Sequence, residues 1–123
     1  MIKIYKKVEI DAAHFLRHMP EGHQCARLHG HHYVIEVEIV APSSDNLRGM
    51  VVDFGEISQA VKFYDHCCLN ETYHFEKVLN PTAENLALIL SRNIRKLIPV
   101  PFHTLLVRVW ETPTSYAEVT DEA

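Results

Sequence analysis

Two stretches of the chain alternate between apolar and polar positions. In the first, Ile2, Ile4, Val8 and Ile10 occupy even positions; in the second, Tyr33, Ile35, Val37 and Ile39 occupy odd ones, with Glu36 and Glu38 between them. Successive strand side chains point to opposite faces, so each stretch reads as a half-buried strand, over about residues 2–11 and 30–40. Leu105, Val107 and Val109 repeat the pattern over about 104–111, and a short fourth strand follows near Tyr116. Between these runs the period changes. Behind Asp53, with Glu56 three residues on as in a capping box, Phe54, Ile57, Val61 and Tyr64 recur at helical spacing. Asn80-Pro81-Thr82 opens a second helix with an apolar face of Leu86, Ile89, Leu90, Ile94 and Leu97, which Pro99 stops. The order β-β-α-α-β-β predicts an α+β fold, a four-stranded antiparallel sheet with two helices on one face. Such a sheet leaves two edges unpaired, and subunit pairing is one way to cover them.

Carried outward, the same alternation places three histidines. His14 falls on the apolar even face of the first strand, and His29 and His31, separated only by Gly30, fall on the apolar odd face of the second. Imidazoles on the inner faces of two strands that pair in a hairpin are either satisfied core groups or metal ligands, and the convergence of three favours metal. Three neutral nitrogens without a fourth protein ligand describe a catalytic zinc site, which keeps one position open.

Composition narrows the setting. With 123 residues the chain reads as one domain over 1–123, able to remove roughly two thirds of its unfolded surface from water. A formal charge of −4 without a basic stripe argues against a nucleic-acid surface. No apolar run has the length of a membrane span, and the N-terminus is patterned as a strand rather than a signal peptide. Three cysteines, two of them adjacent (Cys67 and Cys68), make no disulfide framework. A reducing cytoplasm is expected, with Cys25 free as a thiol.

Three further positions carry candidate chemistry. Cys25 sits in the polar loop 15–28 near Arg27, where a positive environment would favour thiolate; the alternative is a small buried hydrophobe. Asp65-His66 follows the first helix, a carboxylate beside an imidazole as in a proton shuttle, or merely a histidine at a helix end. Glu111 shares the odd face of its strand with Leu105, Val107 and Val109, so its charge needs a partner. An internal cation, a ligand with a guanidine-like edge, or simple access to solvent would each serve.

In combination, Ala12-Ala13-His14, Cys25-x-x-x-His29-Gly30-His31, Gly49-Met50-Val51-Val52-Asp53-Phe54, Asp65-His66-x-x-Leu69-Asn70, Asn80-Pro81-Thr82-x-Glu84-Asn85 and Glu111-Thr112 resemble the 6-pyruvoyltetrahydropterin synthase superfamily. The match runs in order through almost the whole chain. The three residues between Cys25 and His29, with Glu21-Gly22-His23 leading in, resemble the bacterial carboxy-forming branch of queuosine biosynthesis. That resemblance implies a tunnelling fold, with sheets joined into a barrel by a trimer and two trimers stacked as a homohexamer. It implies Zn2+ on His14, His29 and His31, Cys25 as proton acceptor, Asp65 and His66 as a relay from a neighbouring subunit, and Glu111 gripping a pterin ring. Thr82 and Glu84 are further pterin contacts by resemblance, and Arg27 is a candidate for a triphosphate. The segment 53–65 is about one helical turn shorter than the resemblance leads one to expect.

The implied reaction converts 7,8-dihydroneopterin triphosphate to 6-carboxy-5,6,7,8-tetrahydropterin with loss of acetaldehyde and triphosphate. Other members of the superfamily use the same site to form a pyruvoyl product or to release the side chain. A zinc-holding module without catalysis, with the thiol as fourth ligand, is the alternative of a different class.

Overall fold

The computed structural model describes residues 1–76 and 79–123. Strands β1 (Ile2–His14) and β2 (His29–Ala41) form a long antiparallel hairpin in register from Ile2–Ala41 to His14–His29. Both strands therefore run past the last residues of the alternating pattern, to the histidines themselves. Helix α1 (Phe54–Lys62) follows, then a two-residue strand β3 (Cys67–Cys68), helix α2 (Ala83–Arg95), and strands β4 (Thr104–Thr112) and β5 (Ser115–Glu122). The sheet has five strands in the order β3-β1-β2-β4-β5, not the four expected, because β3 adds a parallel bridge to β1 at Ala12 and Ala13. All other pairings are antiparallel.

Both helices are capped as the sequence predicts. Asp53 accepts from the Gly55 N–H (2.8 Å) and Thr82 from the Asn85 N–H (3.1 Å), satisfying donors that the first helical turn leaves free. The helices lie on one face of the sheet, where Ile57 and Val61 of α1 and Leu86, Ile89, Leu90 and Ile94 of α2 are buried. They meet Val8 and Ile10 of β1, the odd positions of β2 from Tyr33 to Ala41, and Leu105, Val107 and Val109 of β4. Tyr64 is buried beyond the end of α1, so its apolar character reports the core rather than the helix. Among the described residues, no helix is long and apolar enough to cross a membrane.

Two asparagines fix the chain as it leaves β1. Asn70 accepts from the Phe15 N–H and donates to the Phe15 carbonyl, both at 2.9 Å; Asn80 does the same for Arg17, at 2.8 and 3.0 Å. Each amide stands in for a neighbouring strand. Asn70→Ala would leave two part-buried backbone groups unpaired, an expected loss of about 2–3 kcal/mol. A lower denaturant midpoint at unchanged slope checks this; an unchanged midpoint would mean that water replaces the amide.

Candidate functional site

His14 ends β1 while His29 and His31 begin β2, and the register sets His14 opposite His29 with His31 two pairs along, opposite Ala12. The hairpin thus places three imidazoles at one end of its helix-facing side. Their ring centroids lie 4.6, 4.9 and 5.0 Å apart and each pair meets edge to face. His14 is 1 % exposed.

The hydrogen bonds fix where the protons sit. His14 Nδ1–H donates to the Pro81 carbonyl and His29 Nδ1–H to the Arg27 carbonyl, each at 2.7 Å. A carbonyl oxygen only accepts, so both neutral rings turn a bare Nε2 lone pair inward. Those two Nε2 atoms are 3.0 Å apart. Lone pairs at that separation repel unless a cation lies between them. Burial holds the His14 and His31 imidazoles below their ordinary pKa, which disfavours a proton in that role.

A metal ion suits the same geometry. Two nitrogens on a tetrahedral zinc lie about 3.3 Å apart, near the observed separation. His31 Nε2 is buried with no hydrogen-bond partner, the one such side-chain nitrogen or oxygen among the described residues. The ligand-capable atoms of His14, His29 and His31 all lie within 4.8 Å of one another. The two carbonyls fix ring orientation from behind, as partners of ligating histidines do. The Tyr33 hydroxyl, 3.3 Å from His14 Nδ1, backs the same ring. The three residues therefore fit zinc, with a fourth position left to a ligand.

Glu111 stands at the mouth of this group. Its Oε1 is 3.7 Å from His31 Nε2, beyond hydrogen-bond reach, and among the described residues it makes no ion pair with Lys or Arg. The ladder between β2 and β4 ends at Val34–Trp110, and a bulge follows in β4 between Trp110 and Thr112. Past that point the strands part, and a cavity of about 550 Å³ admits Glu111 and His31 together. A second cavity, of about 360 Å³, brings Glu84 beside Glu111.

The remaining candidates are placed with less convergence. Asp65 and His66 are pinned to the edge of β1: Asp65 Oδ1 accepts from the Asp11 N–H (2.8 Å), and the His66 N–H donates to the Asp11 carbonyl (2.7 Å). The Asp11 N–H, and after it the His66 ring 3.0 Å away, hold the Asp65 carboxyl below its usual pKa. His66 takes a left-handed backbone (φ 57°), which turns its exposed ring outward beside β3, where it shares a cavity with His31. Cys25 is half-buried in a single turn of 3-10 helix, its N–H held by His23 Nδ1 at 3.1 Å, and it is not a member of the three-histidine group. Thr82 is occupied in capping α2. The Arg27 side chain is exposed, and what Arg27 contributes here is its carbonyl. Sequence reasoning missed Pro81, Arg27 and Asp11 as backbone partners and Tyr33 as backing for His14. Backbone acceptors leave no mark in a side-chain pattern, whereas Tyr33 lay on the inner face next to His31.

A family model described as 6-pyruvoyl tetrahydropterin synthase matches residues 3–122. The chain belongs to that family. A 6-carboxy-5,6,7,8-tetrahydropterin synthase of Rickettsia bellii is 36% identical, with 97% of this chain and all of the relative aligned. One of Haemophilus influenzae is 29% identical over 96% and 98%. The Rickettsia alignment spans 143 positions, more than the chain's 123 residues, so that relative has segments this chain lacks. The 6-pyruvoyl tetrahydropterin synthase of Caenorhabditis elegans superposes with a TM-score of 0.72 at 21% identity, covering 98% of this chain and 96% of the other. That likeness establishes the tunnelling fold of the family.

Proposed function

We propose that this chain is a zinc-dependent 6-carboxytetrahydropterin synthase of queuosine biosynthesis. It converts 7,8-dihydroneopterin triphosphate and one water to 6-carboxy-5,6,7,8-tetrahydropterin, acetaldehyde and triphosphate. One observation carries the reading: three histidines converge with two inward nitrogens fixed by carbonyls behind them, and one of the three, His31, lines a cavity beside Glu111, a carboxylate that makes no ion pair with Lys or Arg among the described residues. The names of the Rickettsia and Haemophilus relatives support the choice of product.

Zinc on His14, His29 and His31 supplies Lewis acidity that makes the substrate's side-chain hydroxyls and adjoining C–H more acidic. Cys25 as thiolate takes a proton beside the ring. His66, oriented by Asp65, returns one elsewhere. Glu111 accepts from the 2-amino and N3 protons of the pterin, with charged hydrogen bonds worth roughly 1.5–3 kcal/mol each. Glu84 lies along the same side, and Thr82 acts through the start of α2. Arg27 is the proposed contact for the triphosphate. Three free thiols suit a reducing cytoplasm. The chain works as a homohexamer of two stacked trimers.

Incubating the purified protein with 7,8-dihydroneopterin triphosphate and weighing the products tests the reading. A carboxypterin with acetaldehyde is expected. A pyruvoyl or side-chain-cleaved pterin would replace it with another branch of the family, and bound zinc without turnover would leave a metal-holding module. Glu111→Gln should weaken substrate binding by at least tenfold, because an amide offers one acceptor where the carboxylate offers two, while zinc content stays constant. Calorimetry checks this, and unaltered binding would mean that Glu111 only meets solvent.

A further inference from the structure

We propose that His23 is a positioning residue: its imidazole caps the turn that carries Cys25 and so fixes the backbone from which the thiol projects. The inference rests on the proposed role of Cys25 as base and adds the residue that sets it. Glu21-Gly22-His23, to which the function above gives no task, forms a tight turn. The His23 N–H donates to the Pro20 carbonyl at 3.0 Å, and Gly22 takes a left-handed backbone (φ 81°) that glycine adopts without steric cost. The turn delivers a half-buried ring whose Nδ1 accepts from the Cys25 N–H at 3.1 Å. An N–H only donates, so this Nδ1 is bare and the neutral ring carries its proton on Nε2, the reverse of His14 and His29.

The Cys25 backbone is held on both sides. Its N–H meets His23, and its carbonyl accepts from the Leu16 N–H at 2.8 Å, two residues past His14. The Arg27 N–H closes the turn on the Gln24 carbonyl at 3.2 Å, while the Arg27 carbonyl holds His29 Nδ1 at 2.7 Å. One hydrogen-bonded path therefore joins the thiol's turn to the backbone beside two of the three histidines. Among these links, the bond from His23 is the one that a side chain of the loop supplies. A single turn of 3-10 helix has poor hydrogen-bond geometry of its own, so a cap matters to it. An aspartate cap would set a negative charge two residues from the thiol and disfavour thiolate, whereas a neutral imidazole caps without that penalty. The bond goes to the backbone of Cys25 rather than to the thiol, so His23 orients the base and exchanges no proton with it.

His23→Ala and His23→Asn are the test; the asparagine Oδ1, like Nδ1, is one bond beyond Cγ and restores the acceptor. Turnover of 7,8-dihydroneopterin triphosphate, zinc content and deuterium exchange at the Cys25 amide are measured in each beside the wild type. In His23→Ala the amide should exchange about fivefold faster or more. Its kcat should fall about tenfold or more at unchanged KM and zinc, because a base is misplaced while the binding groups stay. His23→Asn should return both quantities to within about twofold of wild type. Full turnover in His23→Ala would overturn the inference, as would lost turnover with the amide still protected. Turnover that stays low in His23→Asn despite a protected amide would also overturn it, because the ring would then take part in the chemistry. Lost zinc or a raised KM in His23→Ala would do the same, by assigning the cap to metal or substrate binding. A wild type without turnover would instead overturn the proposed function, and the thiol's role with it.

Discussion

His29→Ala should purify with a folded hairpin, without zinc and without turnover. The ring contributes one of three inward nitrogens, and its Nε2 lies 3.0 Å from that of His14. Removing it leaves two nitrogens, too few to complete a zinc site with one open position, so affinity should fall by more than about 100-fold, beyond the usual cost of losing an outer partner. His32→Ala is the control. That imidazole is one residue further along, on the opposite face, hydrogen-bonded to Asp11 at 2.7 Å and to Glu9 at 3.2 Å. It should leave zinc in place. Acid should mimic the first variant: burial holds His14 and His31 below the ordinary imidazole value, so these two rings stay neutral near pH 7, and metal is lost as protons compete for them at lower pH. Metal analysis of both variants across pH decides the assignment, and full zinc occupancy in His29→Ala would sink it.

The histidine group was legible because a strand has an exact period of two. Once Ile10 and Tyr33 are inside, so are His14, His29 and His31, and a hairpin brings the three to one end. Glu111 was legible for the same reason, though not its neighbour: among the described residues its ion-pair contact is with His31 Nε2, at 3.7 Å, rather than with Lys or Arg. Other features leave no periodic trace. Strand β3 is two residues long, too short to alternate. Asn70 and Asn80 act on backbone atoms more than fifty residues away, and Pro81 and Arg27 act through carbonyls that every residue has. Side-chain pattern reports faces, and these contacts belong to the chain's path.

Mixing two inactive proteins should restore activity. Cys25→Ala removes the proposed base but no member of the histidine group, so it should keep zinc while losing turnover. His66→Ala removes the proposed proton donor, an exposed ring held at the β1 edge through Asp11. If the thiol and the relay of one site come from neighbouring subunits, random reassembly of equal amounts leaves about a quarter of the sites free of both changes, and that fraction of wild-type activity should return. The structure supplies a concrete competitor. His66 and His31 of the same chain line one cavity of about 470 Å³, so a relay within a single subunit is geometrically available, and it would give no recovery. Light scattering before and after dissociation establishes the assembly, and mass-tagged subunits establish exchange. An active monomer would remove the hexamer and the shared site together. A hexamer that exchanges subunits yet recovers nothing would keep the assembly and assign Cys25 and His66 of one chain to the same site.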